Sequence, residues 1–311
     1  MVNEMFLGVD GGQSHTEAIV ADEAGNILGR GIAGPSTPGI EKCETSIRQA
    51  IEGAVQGVVF PRFKAACFGM TGDGFGVKES VEKIVVADNI SVIHDAPTAL
   101  MGALSGRPGV VVIAGTGSVV FGRNDGNETA RAGGLGYMFS DQGSGIWFSV
   151  CLIKRAIKEY DGVESTSGLV GEVCDFFGVD NIEEVTSGYY HGSISRDRLA
   201  SFAKRGVELA ENGHQVAATL ISEGVGTLVN DIEAVRKKLG LDVFEISGVG
   251  GMFAGEHYKK TFLRTLDLLI PRSVFTSAEF GPGVGALLNA YKTSGVEIDD
   301  KLLENLRNSQ Q

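Results

Sequence analysis

The segment Met5-Phe-Leu-Gly-Val-Asp10-Gly-Gly-Gln-Ser-His-Thr16-Glu-Ala-Ile-Val-Ala-Asp22 decides the fold of this chain. It joins two apolar runs through a glycine-rich turn, a pattern that predicts strand, turn and strand. The residues Glu23-Ala-Gly-Asn26 then supply a hairpin turn into a third strand over 27–31. We therefore expect the chain to begin with three paired strands.

The same pattern returns about a hundred residues later, which is typical of an internal duplication. An apolar run over 110–114 leads into the turn Gly115-Thr-Gly-Ser118, and a second apolar run over 119–121 ends at the turn Asn124-Asp-Gly126. Helical and strand patterns alternate after each copy, and this alternation predicts an α/β fold with two similar lobes. The segment Ser105-Gly-Arg-Pro-Gly109 is the expected boundary, which gives lobes over 1–108 and 109–311.

Composition excludes several classes of partner. The chain has 311 residues and a formal net charge of −12, so nucleic acid or an anionic membrane would be repelled by its average field. Its apolar stretches fall far short of the roughly 20 residues that cross a bilayer. Because no signal segment is recognisable and the four cysteines lack CxxC spacing, we expect a cytoplasmic protein with reduced thiols.

The first glycine-rich turn is a candidate phosphate site. Small residues allow backbone amides to approach phosphate oxygens, and Asp10 is placed to organise a magnesium ion through water. The cofactor-binding residues predicted here are Asp10, Gly11, Gly12, Gln13, Ser14 and Thr16. An ordinary tight hairpin is the alternative interpretation of this turn taken alone.

Two further glycine clusters follow strands and strengthen the phosphate interpretation. Gly115, Thr116, Gly117 and Ser118 repeat the first turn, so two amide-lined turns are expected to grip a polyphosphate across a cleft. Ser247-Gly-Val-Gly-Gly-Met252 follows a late apolar strand and leaves space for an adenine or a ribose. Together the three clusters predict a nucleotide site.

Asp95 is the predicted catalytic base. It follows a strand over 90–93, and ligands commonly meet parallel sheets at the carboxyl ends of strands. A carboxylate there accepts a hydroxyl proton and aligns the oxygen with a terminal phosphorus. The alternative role for Asp95 is to cap the helix that begins at Ala96.

The segment Gly133-Gly-Leu-Gly-Tyr-Met-Phe-Ser-Asp141-Gln-Gly-Ser144 predicts a sugar pocket in which Asp141 accepts hydroxyl protons. Helix capping by Asp141 or Ser144 is the alternative. Trp147, one turn into the following helix, is expected in the core. The five histidines show no metal-ligand spacing.

Taken in order, these motifs resemble the ATPase superfamily of sugar kinases, heat-shock protein 70 and actin. Within it they are closest to the N-acetylglucosamine kinase and BadF/BadG/BcrA/BcrD type and to archaeal broad-specificity hexokinases. The motifs that carry the resemblance are Gly8-Val-Asp-Gly-Gly12, His94-Asp95, Gly109 to Ser118, and Gly133-Gly-Leu-Gly136 with Ser140-Asp-Gln-Gly-Ser144.

The resemblance implies two RNase-H-like lobes, ATP with Mg²⁺, closure on a sugar substrate, and Asp95 as the base. It also implies a homodimer and an adenosine site lined by Gly250 and Gly251. A helix beginning at Gly281-Pro-Gly-Val-Gly285 is expected to connect back between the lobes, and the last helix is expected to pack back toward the N-terminal lobe. The first lobe is expected to hold the substrate and phosphate side, and the second lobe is expected to bind ATP. The predicted substrate-binding residues are Thr37, Asp95, Thr116, Gly133, Gly134 and Asp141.

Two departures from the family pattern leave the substrate open. The loop Gly34-Pro-Ser-Thr-Pro-Gly39 lacks the family's asparagine, so Thr37 or Ser36 would have to replace it, and Gln142 stands in place of a carboxylate. Loss of that carboxylate favours a less basic or an anionic substrate. A hexose or an N-acetylhexosamine is the expected substrate.

The alternative substrate is the acid sugar 2-keto-3-deoxygluconate, with Arg131, Arg123 or His15 pairing with its carboxylate. An activator or regulatory ATPase that drives a protein partner is the alternative of another class. The turn lacks the adjacent cluster cysteine expected of such activators.

Overall fold

The computed structural model describes residues 4–36, 43–56, 62–72 and 77–309. These ranges contain ten β-strands: β1 Met5–Gly11, β2 Thr16–Asp22, β3 Ile27–Ala33, β4 Arg62–Met70, β5 Val86–His94, β6 Gly109–Ala114, β7 Ser118–Arg123, β8 Thr129–Gly133, β9 Phe244–Val249 and β10 Ser273–Thr276. The two predicted hairpin turns join β2 to β3 and β7 to β8.

The same ranges contain eleven α-helices: α1 Cys43–Ala54, α2 Val77–Ile84, α3 Asp95–Ala103, α4 Gly145–Tyr160, α5 Leu169–Phe177, α6 Ile182–Tyr190, α7 Arg196–Glu211, α8 Gln215–Leu239, α9 Glu256–Leu269, α10 Pro282–Thr293 and α11 Asp300–Asn308. A short 3-10 turn covers Gly251–Ala254. In the described part of the chain, no helix combines the length and apolar character needed to cross a membrane.

The chain divides into two compact units. Unit 1 comprises Met1–Val111 and Ser277–Gln311, and unit 2 comprises Val112–Thr276. This division differs from the predicted lobes over 1–108 and 109–311, because the last part of the chain belongs to unit 1. There α10 packs on β1 and on α3, and α11 buries Leu302, Leu303 and Leu306.

Both units contain a five-stranded sheet with the same strand order. In unit 1 the order is β3-β2-β1-β4-β5, and in the second sheet it is β8-β7-β6-β9-β10. β2 is antiparallel to β1 and β3, whereas β4 is parallel to β1 and β5. In the second sheet β7 and β8 are antiparallel and β9 and β10 are parallel. The predicted α/β fold with a duplicated unit is confirmed.

Helices cover both faces of the sheet of unit 1. Because successive side chains point to opposite faces of a strand, each strand contributes to both layers. Phe6 and Ile19 pack with α10 and α11 on one face, whereas Leu7, Val9 and Ala18 pack with α1 and α2 on the other. Gly285 permits the close approach of α10 and α3, since a Cβ there would overlap the Thr98 carbonyl oxygen. This packing fixes α3, whose first residue is Asp95.

Unit 2 adds a layer of helices to its sheet. α8 packs against β7 and β8, α4 packs against α7, and α9 packs against α8. The predicted helices over 144–160, 197–212 and 216–239 correspond closely to α4, α7 and α8. Trp147 is half-buried and contacts α8 at Gly224, so the core role predicted for it holds in part.

Candidate active site

Three neighbouring strands of unit 1 end in polar side chains at one edge of the sheet. Asp10 lies near the end of β1, Thr71 follows β4, and Asp95 follows β5. The parallel register pairs Asp10 with Gly69 and Met70 with His94. The Thr71 amide donates to the Gly11 carbonyl at 2.9 Å, which holds the strand ends together. The carboxyl edge of this sheet is therefore an acidic site, as strand-end reasoning predicts.

The two carboxylate oxygens of Asp95 differ in their hydrogen bonding. Thr71 Oγ1 donates to Oδ2 at 2.8 Å. The His94 ring nitrogen Nδ1 lies 2.6 Å from Oδ1 but without hydrogen-bond alignment, and Oδ1 is buried with no hydrogen-bond partner among the described residues. A buried acceptor without a donor is costly, so Oδ1 is suited to receive a donor from a ligand.

The Asp95 carboxylate does not cap helix α3. The cap residue of α3 is His94, and it makes no side-chain cap hydrogen bond. Asp95 is itself the first residue of the helix, and only its backbone carbonyl is used locally, accepting from Thr98 Oγ1 at 2.7 Å. The carboxylate is held by Thr71 from another strand.

Asp10 is a half-buried residue in an acidic environment. Burial, followed by the negative charges of Asp95 and Glu17, raises the pKa of Asp10 from 3.8 to about 7. Glu17 lies directly opposite Asp10 in the β1–β2 register. The surroundings of Asp10 therefore destabilise its charged form, and a bound cation would stabilise it.

A magnesium ion fits this environment only with ligands from outside the protein. Among the residues that the structure describes, no three His, Cys, Asp or Glu side chains gather closely enough to hold a metal. Mg²⁺ usually keeps several waters and binds through one or two carboxylates plus phosphate oxygens. The two carboxylates of Asp10 and Asp95, which repel each other, would supply the protein's share of such a site.

The loop after β1 is braced by its own residues. The Gly12 amide donates to the His15 carbonyl at 3.0 Å, and the Ser36 amide donates to the Gly12 carbonyl at 3.1 Å. Thr16 is fully buried and its hydroxyl donates to the Gly34 carbonyl at 2.7 Å. The hydroxyl oxygens of Thr16 and Ser36 lie 2.8 Å apart. The hydroxyls of Thr16 and Ser36 thus hold the loop closed instead of facing a ligand.

The other predicted residues of this loop are accessible, with one exception. Gly12 and Gln13 are half-buried, Ser14 is exposed, and Gly11 is buried against Met70 and Ser36. Thr37, predicted to bind substrate, lies outside the described residues. Ser36, the other candidate in that loop, is fully buried, which argues against contact with a sugar.

In unit 2 the second glycine turn is anchored to the start of α4. The amides of Gly145 and Ile146 donate to the carbonyls of Gly115 and Thr116 at 2.8 and 3.1 Å. The Ser118 hydroxyl donates to the Gln142 carbonyl at 2.9 Å. A Cβ at Gly115 would meet no atom within 4 Å, so open space lies beside the turn. The turn is rigid on one side and accessible on the other.

The second and third glycine clusters lie together. Gly250 has a φ of +103° and a Cβ there would come within 2.5 Å of the Ala114 carbonyl oxygen, so only glycine allows this approach. Gly251 is exposed, and a Cβ on it would also meet open space. The turns after β6 and β9 therefore form one glycine-lined surface with room for a ligand.

Asp141 is held in a strained backbone conformation beside the second turn. Its φ is +68°, and its buried carboxylate accepts the backbone amides of Ser118 and Gly136. Burial raises its pKa, which the two amides and the positive charge of Arg196 partly offset. A non-glycine residue with positive φ, fixed by surrounding contacts, is a feature that concentrates at functional sites.

The capping role belongs to Ser144 and not to Asp141. Ser144 Oγ accepts the Trp147 amide at 3.2 Å at the start of α4. Gly133 and Gly134 have φ values of +71° and +70°, and Gly134 packs so closely on Val119 that a Cβ would overlap it. These two residues turn the chain from β8 toward Asp141.

Three residues near the site were absent from the sequence-based prediction. Thr71 follows a strand as Asp95 does, so the strand-end rule was sufficient to find it. Asp231 of α8 is half-buried beside Gly133, with burial raising its pKa. Arg196, at the start of α7, acts on Asp141 from 55 positions away, and no local pattern announces it.

The three cations predicted to pair with an acidic substrate lie on different elements. Arg123 ends β7 at the opposite end from the Gly115–Ser118 turn, and burial lowers its pKa. Arg131 is exposed on β8, and His15 is exposed in the loop of unit 1.

Comparison with known proteins places the chain among sugar kinases. It is 26% identical over 297 residues to the N-acetylmuramic acid/N-acetylglucosamine kinase of Clostridium acetobutylicum, covering 91% of this chain and 97% of that protein. It is 27% identical to the N-acetyl-D-glucosamine kinase of Dictyostelium discoideum, covering 78% of this chain and 82% of that protein.

A solved structure agrees with these relatives. A Chromobacterium violaceum protein assigned as an N-acetylglucosamine kinase superposes with a TM-score of 0.77 at 25% identity, covering 92% of this chain and 98% of that one. The sequence model of one family matches residues 7–290, from the first strand to α10. The chain therefore belongs to the BadF/BadG/BcrA/BcrD ATPase family.

Proposed function

We propose that this protein is an ATP-dependent kinase that phosphorylates a hydroxyl group of an amino sugar of the N-acetylglucosamine class. The observation that carries the proposal is the Asp95 carboxylate, which is oriented by Thr71 and has a buried oxygen without a hydrogen-bond partner among the described residues. The curated relatives named as hexosamine kinases support the substrate class.

In this mechanism Asp95 Oδ1 accepts the proton of the sugar hydroxyl. The sugar oxygen forms a bond to the γ-phosphorus while the bond from that phosphorus to the β,γ-bridging oxygen breaks, and ADP leaves with the electron pair. Thr71 keeps the carboxylate in position. Removal of such a base costs roughly 10²- to 10⁴-fold in rate.

The remaining roles follow from the glycine turns and from Asp10. We assign phosphate binding to the turns that contain Gly11, Gly12, Gly115 and Gly117, with Gln13, Ser14, Thr116 and Ser118 as polar neighbours, and adenosine binding to Gly250 and Gly251. Asp10 would hold Mg²⁺ through water, and the ion, when bound, neutralises phosphate charge. Asp141, Gly133, Gly134 and Thr116 are assigned to the sugar.

The test is an ADP-release assay with magnesium-ATP and a panel of N-acetylglucosamine, glucosamine, glucose, N-acetylmannosamine and 2-keto-3-deoxygluconate. We expect the highest kcat/KM with an N-acetylated amino sugar. A rate of ADP release that no sugar changes would favour a partner-coupled ATPase. Turnover with 2-keto-3-deoxygluconate alone would favour the acid-sugar kinase.

The Asp95→Asn variant tests the catalytic role. We expect kcat to fall at least a hundredfold while the Kd for ATP stays within about threefold, because the carboxamide keeps the shape but not the basicity. Asp88→Asn is the matched control, since Asp88 is an exposed residue of the same strand. Turnover by Asp95→Asn within tenfold of the wild type would exclude Asp95 as the base.

A homodimer and a cytoplasmic location stay predictions. Light scattering on the purified chain at micromolar concentration tests the first, and fractionation of the source cells tests the second.

A further inference from the structure

The third glycine cluster offers no hydrogen-bonding side chain to a nucleotide base. The segment over 248–254 reads Gly-Val-Gly-Gly-Met-Phe-Ala and spans the end of β9 and the 3-10 turn that follows it. The Phe253 ring packs over Gly248 so closely that a Cβ there would lie 2.5 Å from it. Ser247, the residue before this segment, is fully buried, so its hydroxyl does not reach the surface. The side chains at this surface are therefore apolar or absent.

The main chain of this turn is partly engaged in its own hydrogen bonds. The Gly250 carbonyl accepts the Phe253 amide at 3.1 Å, and the Met252 carbonyl accepts the Gly255 amide at 3.2 Å. These two carbonyl oxygens hold the turn in shape. What the turn presents to a flat ring is mainly the glycine surface itself.

The neighbouring helices add no group that recognises a base on this side of the turn. A Cβ at Gly255 would lie 2.4 Å from Val207 Cγ1 of α7, so the contact there is apolar. Glu211, the last residue of α7, uses one carboxylate oxygen to accept the amides of Glu256 and His257 at 2.9 and 3.3 Å. That oxygen caps the start of α9. The contacts that the structure describes here are thus apolar or already hydrogen-bonded.

The space beside the turn is open. Gly251 is exposed, and an ideal Cβ on it, or on Gly115 of the second cluster, meets no atom within 4 Å. A purine ring fits such a surface by shape and apolar contact. Adenine and guanine differ in the donors and acceptors along one edge, and only a site with matching polar groups separates them strongly. The described surface therefore suits the purine ring without distinguishing its substituents.

We propose that the nucleotide base is not read, so that the enzyme accepts purine nucleoside triphosphates in general as phosphoryl donors, GTP and ITP as well as ATP. This inference rests on the proposed kinase function and on the assignment of Gly250 and Gly251 to the nucleoside. With each donor, the sugar oxygen bonds to the γ-phosphorus, the bond from that phosphorus to the β,γ-bridging oxygen breaks, and the nucleoside diphosphate leaves with the electron pair. The hydroxyl proton passes to Asp95.

The first experiment compares ATP, ITP and GTP as donors for the sugar of the panel that ATP phosphorylates best. Formation of the sugar phosphate is the readout, because it does not depend on which nucleoside diphosphate is released. ITP is the sharpest probe, since it replaces the amino donor of adenine by a carbonyl acceptor in a ring of the same shape. We expect kcat/KM for ITP and GTP within about 200-fold of that for ATP, because apolar contact discriminates no more strongly. A site that hydrogen-bonds the amino group would favour ATP roughly 10⁴-fold or more.

Gly251→Leu tests where the base lies. The φ of Gly251 is outside the left-handed region, so a side chain is compatible with the backbone. We expect the KM for ATP and for ITP to rise alike, by about tenfold or more, because the leucine fills the space assigned to the base, whereas the KM for the sugar should change less than about threefold. Gly171→Leu is the matched control, since Gly171 is an exposed glycine of α5 whose Cβ would also meet no atom within 4 Å. It should leave every KM unchanged, and melting temperatures of both variants identify any loss of structure.

The outcomes separate the two proposals. A preference for ATP over ITP and GTP above about 200-fold would overturn this inference while leaving the kinase function intact. Unchanged KM values in a folded Gly251→Leu, or a rise for ATP alone, would overturn it as well, because the base would then lie elsewhere or be read by hydrogen bonds. Absence of sugar phosphate with every donor and every sugar of the panel would overturn the kinase function and this inference together.

Discussion

Replacement of Asp10 by asparagine should stabilise the unliganded protein while abolishing its activity. Burial and neighbouring negative charges raise the pKa of Asp10 to about 7 in the folded state, against an ordinary value of 3.8. The folded state therefore disfavours the charged form. Below pH 3.8 both states are protonated and folding has no cost from this group, whereas the cost grows as the pH rises and is complete above about 7.

The magnitude follows from the same two values. At 1.36 kcal/mol for each pH unit, the difference between 3.8 and about 7 corresponds to about 4 kcal/mol at pH 8. At pH 5 the cost is about 2 kcal/mol, because the folded state is then still protonated. Asparagine is neutral at every pH, so Asp10→Asn should exceed the wild type in unfolding free energy by these amounts.

Calorimetry and far-ultraviolet circular dichroism at pH 5 and pH 8 measure the effect without nucleotide. The single tryptophan, Trp147, lies in unit 2, so its fluorescence does not follow the unit that contains Asp10. We expect a melting temperature roughly 10 °C higher for the variant at pH 8 and a smaller difference at pH 5. Glu52→Gln, an exposed change in α1, is the control for net charge.

Equal stability of Asp10→Asn and wild type at pH 8, or a difference independent of pH, would refute the electrostatic argument. The variant should also lose magnesium-dependent turnover, since the Asp10 carboxylate is the group assigned to the magnesium ion. A fully active variant would contradict the assignment of Asp10 to the magnesium ion.

The remaining predictions concern glycines whose surroundings differ. Gly115→Ala should leave the melting temperature nearly unchanged, because a Cβ meets open space, yet raise the KM for ATP at least tenfold if the turn cradles phosphate. An unchanged KM for ATP in steady-state kinetics would contradict phosphate binding at that turn. Gly285→Ala should destabilise unit 1 by about 3 kcal/mol or more in denaturant unfolding, because a Cβ there overlaps the backbone carbonyl oxygen of Thr98 in α3. The control Gly281→Ala meets no atom within 4 Å, so equal effects of the two changes would disprove the packing argument.

Local sequence was sufficient for the elements that carry the site. Alternating apolar residues and glycine-rich turns predicted β1, β2, β6 and β7, and the repeat predicted two similar lobes. Asp95 was singled out because ligands commonly meet parallel sheets at the carboxyl ends of strands, and Asp10 because it opens a glycine-rich turn. The strand predictions succeeded because strand periodicity and turn chemistry depend on near neighbours.

Other assignments failed where the environment of a side chain decides its role. Thr16 has the chemistry of a phosphate donor, but the fold buries it and directs its hydroxyl to Gly34. The predicted lobes over 1–108 and 109–311 differ from the two compact units, because 277–311 belongs to unit 1, the lobe toward which the last helix was expected to pack.

The sequence by itself determined the fold class, the duplicated sheet and the positions where acidic groups and glycine turns follow strands. Only the tertiary structure decided which of these groups are buried, and which distant segments join them. It brought Gly250 onto the end of β6, Thr71 onto Asp95 and Arg196 to the Asp141 loop. The physical reason is that secondary structure follows from short-range preferences, whereas burial, pKa and recognition depend on packing between residues far apart in the chain.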